Sequence, residues 1–157
     1  MIEIRRMNPS SEGATELIAE LDAYQSSLYP AESNHFDSVD ELSKSNVQFL
    51  GAFEYDVPLG CGAVKFLEDG YAEIKRMFVR PQARGKQIGR RILAELEAVA
   101  GEAGISLIRL ETGIHQPEAI ALYQKSGYEY VEPFGDYRED PLSVFMEKNL
   151  AISARDA

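Results

Sequence analysis

Arg84, Gly85, Lys86, Gln87, Ile88 and Gly89 stand between a strand-like run ending at Val79-Arg80-Pro81 and a strongly amphipathic helical run. A loop that enters a helix in this way suits anion binding. The first amides of a helix have no internal partner, and its dipole adds roughly half a positive charge there. Gly85 and Gly89 allow close backbone approach. Arg84, Lys86, Arg90 and Arg91 supply full charges. The loop is not the phosphate loop of ATP enzymes, because Gln87 rather than Ser or Thr follows Lys86. It also lacks the three glycines of the dinucleotide fingerprint. The chain carries a net charge of −10, from 26 acids against 16 bases. Within it, residues 74–91 hold Lys75, Arg76, Arg80, Arg84, Lys86, Arg90 and Arg91 and no acid. One basic segment in an acidic chain is either a solvated strand-and-turn face or a pocket for a small polyanion.

The elements around this loop follow from periodicity. Met1–Arg6 reads as a strand. Asn8, Pro9, Ser10 and Ser11 form a turn that caps a helix whose apolar face is Leu17, Ile18, Leu21, Tyr24 and Leu28, ending at Tyr29-Pro30. A polar loop runs from Ala31 to Phe36, and Ser38 opens a short helix through Leu42. Three strands follow as an antiparallel meander over 47–55, 59–66 and 71–79, with turns at Asp56-Val57-Pro58 and Asp69-Gly70. In the last of these, Tyr71, Glu73, Lys75, Met77 and Val79 alternate with Ala72, Ile74, Arg76 and Phe78, which predicts Glu73 and Met77 on one face. The pattern then changes. Ile88, Ile92, Leu93, Leu96, Val99 and Ala100 form a helical stripe ending near Gly101. Ser106–Leu110 is a short strand, and Pro117–Lys125 is a helix closed by Gly127. Ser143–Met146 is a last strand.

Two motifs carry a family resemblance. Arg84, Gln87 and Gly89, preceded by Val79 and Pro81, form the first. Gln116-Pro117-Glu118-Ala119-Ile120-Ala121-Leu122-Tyr123, followed by Gly127-Tyr128, forms the second. As a pair they resemble the acetyl-CoA-binding half of the GNAT superfamily of N-acetyltransferases. There are two departures: Gln87 stands where the first signature glycine is expected, and Gln116 where Asn is usual. The resemblance implies an α/β fold, with a mixed, mostly antiparallel sheet of about six or seven strands flanked by about four helices. It implies one domain over residues 1–150, followed by a frayed tail. The strand before the basic loop would run parallel to the Ser106–Thr112 strand, with the co-substrate entering where the two splay. Acetyl-CoA would pair through pantetheine with the backbones of Met77, Phe78 and Val79. Its pyrophosphate would sit on Arg84, Gly85, Lys86, Gln87, Ile88, Gly89 and Arg90, with Gln116 and Tyr123 also in contact.

The same resemblance suggests roles. Tyr123 matches the general-acid tyrosine that serves the departing thiolate. Glu73 matches a strand glutamate that takes the amine proton directly or through water, and Glu111 competes for that role. Tyr29, Asn34 and His35 would wall the acceptor pocket. His115 reads as a loop residue beside the fourth helix, and Cys61 as a small core residue. The expected activity is acetyl transfer from acetyl-CoA to a primary amine of a small molecule or peptide, directly within a ternary complex. A non-catalytic acyl-CoA-binding module or sensor is the alternative.

Composition sets the limits. Hydrophobic residues make up 45% and charged residues 27%, as in an ordinary soluble globular protein. Apolar runs fall short of a membrane span, and the N-terminus lacks a signal-peptide core, so a cytoplasmic location without membrane contact is expected. One cysteine and two histidines argue against an internal disulfide or a metal site, so no metal is expected. Net acidity disfavours nucleic acid as a partner. A homodimer is left open.

Overall fold

Ser11 starts the first helix, α1 (Glu12–Leu28), by accepting the amide of Ala14 on its hydroxyl at 3.3 Å. Tyr29, extended ahead of Pro30, ends it. The computed structural model describes residues 1–33 and 37–151. Ser38 caps α2 (Val39–Leu42) in the same way, and α3 (Ile88–Glu102) and α4 (Pro117–Lys125) complete four α-helices among the described residues. The strands are β1 (Ile2–Arg6), β2 (Val47–Glu54), β3 (Val57–Phe66), β4 (Ala72–Val79), β5 (Leu107–Gly113), β6 (Glu129–Val131) and β7 (Ser143–Asn149). They form one sheet in the order β1-β2-β3-β4-β5-β7-β6. Every neighbouring pair is antiparallel except β4 with β5. This is the mixed, mostly antiparallel architecture expected from the sequence.

Each face of the sheet buries its own core. On one, Ile88, Ile92, Leu93 and Leu96 of α3 pack over Val64, Ile74, Ile108 and Leu110. On the other, Leu17 and Leu21 of α1 and Leu42 of α2 pack over Phe49, Cys61, Ala63 and Phe78. A smaller cluster of Tyr71, Phe134 and Phe145 lies under the segment between β6 and β7.

Three local features depart from the sequence reading. The β2–β3 turn is Tyr55-Asp56, both at positive φ (50° and 67°), so Val57 and Pro58 belong to β3. Two positive-φ residues match the twist of the flanking strands. β6 has only three residues, too few to show alternation, and it pairs with β7 alone. The third departure bears on the site. Arg76, in the middle of β4, has φ 57°. Phe78 pairs with Cys61 but Lys75 pairs with Ala63, so β4 spends one more residue than β3 across the step. This bulge reverses the alternation. Phe78 packs in the α1 core, whereas Met77 and Val79 pack toward the α3 core, beside Ile74. Glu73 reaches the Asp37 side of the sheet through Lys75. Glu73 and Met77 therefore face opposite sides, contrary to simple alternation.

The parallel pairing of β4 with β5 is short: Ala72 with Ile108, Glu73 with Arg109 and Ile74 with Leu110. Beyond Ile74, β4 continues to Val79 and β5 to Gly113 without pairing each other, while β5 stays paired to β7 along its length. The bulge falls just where the two strands part.

Candidate active site

A cavity of about 600 Å³ opens between the separated strands. Its walls come from β4, β5, the loop into α3 and the start of that helix, α4 along its length, the last turns of α1, and Tyr137.

One end is made by the basic loop. Gly85 (φ 87°) and Gln87 (φ 59°, ψ 26°) turn the chain through the left-handed region into α3. Gln87 is the N-cap but makes no side-chain cap bond, so the first-turn amides of α3 have no capping side chain. A left-handed non-glycine costs on the order of 1–2 kcal/mol. That cost gives a physical reason for glycine to be usual where Gln87 stands. Gly89 brings α3 against α4 and β4: a Cβ there would lie 3.3 Å from a methyl of Leu122.

The seven bases of residues 74–91 have separate fates. Lys75 is bound by Asp37 and Glu73. Arg76 pairs with Asp22 of α1 at 2.5 Å, and Arg80 pairs with Glu20 of α1 at 2.7 Å. Arg91 donates to the carbonyl of Ile2. Lys86 leans to Glu54 at 3.9 Å and does not line the cavity. Arg84 and Arg90 do line it, and neither forms an ion pair among the described residues. The acid-free segment is thus mostly neutralised by acids on α1 and elsewhere, and its remaining positive charge is concentrated at the loop. With uncapped amides beside them and an unpaired β4 edge leading away, the residues present fit a pyrophosphate joined to an amide-bearing arm.

Tyr123 lies deeper. It is 5% exposed, packs edge-on against Tyr128 at 5.8 Å, and still contributes to the cavity wall. Burial, helped by the nearby charge of Glu111, pushes its phenol well above the usual tyrosine range. Cys61 is fully buried, donates to the carbonyl of Arg76 at 3.4 Å, and is pushed up to about 12 by burial. It does not line the cavity.

The other end is built from side chains bonded to one another. Glu73, 6% exposed, accepts from the Tyr137 hydroxyl at 2.6 Å and from Lys75 at 3.3 Å, both on Oε2. Burial alone would lower Lys75, but the charges and hydrogen bonds of Glu73 and Asp37 outweigh it and hold the ammonium above its ordinary value. Glu111 accepts from the Ser143 hydroxyl at 2.9 Å. Tyr24, Gln25 and Thr112 complete this end.

Of the site residues expected from sequence, Glu73, Met77, Phe78, Val79, Arg84, Gly85, Gln87, Ile88, Gly89, Arg90, Gln116 and Tyr123 all line the cavity. Tyr29 does not. Its hydroxyl accepts from the His115 amide at 3.0 Å and donates to Gln116 at 3.3 Å, while its ring stacks on His115. It presses so closely on Gly113 that no Cβ could be added there. Tyr29 thereby ties the end of α1 to the β5–α4 turn. It borders a side pocket of about 40 Å³ that shares Gln25, Glu111, Thr112 and Gln116 with the main cavity. Asn34 and His35 lie outside the described residues. Sequence reasoning missed Tyr137, which is distant in the chain and carries no local motif.

Residues 14–128 match the acetyltransferase (GNAT) family. An IAA acetyltransferase from Azospirillum brasilense is 49% identical over 150 residues, covering 95% of this chain and 98% of the relative. A crystal structure from Klebsiella pneumoniae, classed as an acyl-CoA N-acyltransferase, is 41% identical and superposes with a TM-score of 0.83, covering 96% of this chain and 98% of the other. The PaiA N-acetyltransferase of Thermoplasma acidophilum, solved in complex with coenzyme A, shares the fold with a TM-score of 0.76 at 23% identity, covering 95% and 99%. The chain belongs to the GNAT family. It is an acetyl-CoA-dependent N-acetyltransferase, not merely an acyl-CoA-binding module. No helix among the described residues is long and apolar enough to cross a membrane.

Proposed function

We propose that the protein transfers an acetyl group from acetyl-CoA to a primary amine of a small molecule or peptide, directly within a ternary complex. The carrying observation is the cavity that runs along the parted β4 and β5, with Arg84, Arg90 and the α3 start at one end and Glu73, Glu111 and Tyr123 farther along it. The pantetheine arm of acetyl-CoA adds to the open edge of β4 at Met77–Val79, and the CoA pyrophosphate meets the α3 amides and the two arginines. The amine enters from the Tyr24–Tyr137 side, with Tyr29 bordering the approach. Glu73, through a water molecule, takes a proton from the ammonium. The freed nitrogen attacks the thioester carbon, the N–C bond forms and the C–S bond breaks. Tyr123 hydrogen-bonds the departing sulfur and relays to it the second proton that the nitrogen sheds as the amide forms, so CoA leaves as the thiol and the phenol is restored. Because its phenol is raised, Tyr123 stabilises developing charge by hydrogen bonding more than by outright proton loss. Burial of Cys61 away from the cavity supports direct transfer over an acetyl-cysteine relay.

Release of CoA measured against a panel of primary amines, including spermidine and peptides with free N-termini, tests the reading. Turnover of at least one amine, with both substrates bound before either product leaves, is the expected result. Ping-pong kinetics would overturn direct transfer, and a flat response across the panel would overturn the acceptor class.

A further inference from the structure

Tyr137 sits in the segment between β6 and β7, at the acceptor end of the cavity. Its ring packs edge-on against Phe134 at 5.2 Å and Phe145 at 5.4 Å. The core beneath it therefore sets where its hydroxyl points. That hydroxyl donates to Glu73 Oε2 at 2.6 Å and accepts from Lys75 Nζ at 2.9 Å. Lys75 closes the triangle by reaching the same Oε2 at 3.3 Å.

The other charged and titratable groups around Glu73 do not substitute for this triangle. Asp37 holds Lys75 at 3.1 Å and so shares its charge. Arg109 is opposite Glu73 in the β4–β5 register, but its guanidinium lies over Tyr71 at 4.7 Å and pairs with Glu147 at 3.2 Å. Glu111, also on β5, adds negative charge, and Tyr71 feels the charge of Glu73 without hydrogen-bonding to it. A carboxylate as buried as Glu73 is costly to leave without donors. Among the described residues, both donors that hold it fall on Oε2, and no side chain bonds Oε1.

We propose that Tyr137 is a positioning residue for the acceptor end: with Lys75 it fixes the Glu73 carboxyl group by occupying Oε2, and leaves Oε1 to the amine and its water. The proposal rests on the reading of Glu73 as proton acceptor. It assigns a task to a tyrosine whose ring alone would satisfy the core.

Tyr137→Phe keeps the ring and removes only the hydroxyl. Carbon-13 NMR of the glutamate carboxyls in uniformly labelled protein follows Glu73 directly, with Glu73→Gln identifying its resonance. In Tyr137→Phe that resonance should change its chemical shift at neutral pH, as expected for loss of one hydrogen bond to the carboxylate. Lys75→Met should move it as well. For the amine that the unmodified enzyme acetylates fastest, the acid limb of kcat/KM should move to higher pH. Rate should recover at high pH, with KM for acetyl-CoA unchanged. A purely structural tyrosine would lower activity equally at all pH values. An identical Glu73 resonance in the unmodified protein and both variants would overturn the proposal. Full turnover by Glu73→Gln would instead overturn Glu73 as proton acceptor, and with it the catalytic half of the proposal, even where the NMR shift is found.

Discussion

At the loop end of the cavity the groups on offer are main-chain amides and two arginines without ion-pair partners among the described residues. At the acceptor end they are Glu73, Lys75, Tyr137 and Asp37, each bonded to another. The first arrangement is assembled from contiguous sequence and depends on backbone shape. The second joins β4, the residue just before Ser38, and the β6–β7 segment, and depends on side chains far apart in the chain. A backbone-built site tolerates changes of side chain where conformation is kept, as Gln87 shows by adopting the left-handed turn itself. A side-chain network has little such tolerance, since removing one member leaves a buried charge or donor without its partner.

The largest effect should come from the tyrosine between the two ends. Tyr123→Phe removes one hydroxyl and no packing, and kcat should fall roughly 10²–10⁴-fold where departure of the thiolate limits the rate. Affinity for CoA, read by calorimetry, should hardly change. Because burial and Glu111 raise the phenol, it stays protonated to higher pH than an ordinary tyrosine. Alkaline loss of turnover assigned to Tyr123 should therefore begin above the ordinary tyrosine value of about 10. Activity that declines with a midpoint below that value would remove Tyr123 from the proton step.

Next comes the loop. Arg84→Glu replaces an attractive contact with a repulsive one and should weaken CoA at least about tenfold. The arginine contribution should also shrink as salt is raised. Unchanged binding in calorimetry would show that the amides alone hold the phosphates. Lys86 offers the contrast. It belongs to the same motif but leans to Glu54. Lys86→Ala should change CoA affinity by no more than about twofold, as is usual for an exposed charge.

The smallest change tests the backbone itself. Gln87→Gly relieves a left-handed non-glycine and should raise stability by about 1 kcal/mol, set against the added freedom of glycine when unfolded. The midpoint of denaturant unfolding would report it, and a loss of stability would mean that the Gln87 side chain makes a contribution of its own.

The same contrast explains what was legible in the sequence. The helices carry caps and apolar periods within their own residues, so Ser11, Ser38, Pro117 and Gly127 mark their ends correctly. The loop was legible for the same reason: strand, glycines and bases are contiguous. The β4 bulge was not, because nothing in Lys75-Arg76-Met77 announces a positive φ. The extra residue is visible only as a register shift against β3. Tyr29 shows another limit. Its type suggested a pocket wall, but its hydroxyl is engaged by His115 and Gln116, contacts 86 and 87 residues away. Tyr137 was invisible because its partners are 62 and 64 residues away and only the fold brings them together. The split in the basic segment has the same origin. Charge counting found the seven bases, but only the packing of α1 against β4 shows that Asp22 and Glu20 neutralise two of them.

The burial of Cys61 has a practical side. It is the only cysteine in the sequence, has no exposed surface, and has a thiol that resists ionisation at neutral pH. Disulfide reagents attack thiolates that they can reach, so the folded enzyme should be nearly silent to them while free CoA reacts at once. A thiol-capture assay would then count product against almost no background. The same reagent, added during heating, would report the moment at which the α1 face of the sheet opens.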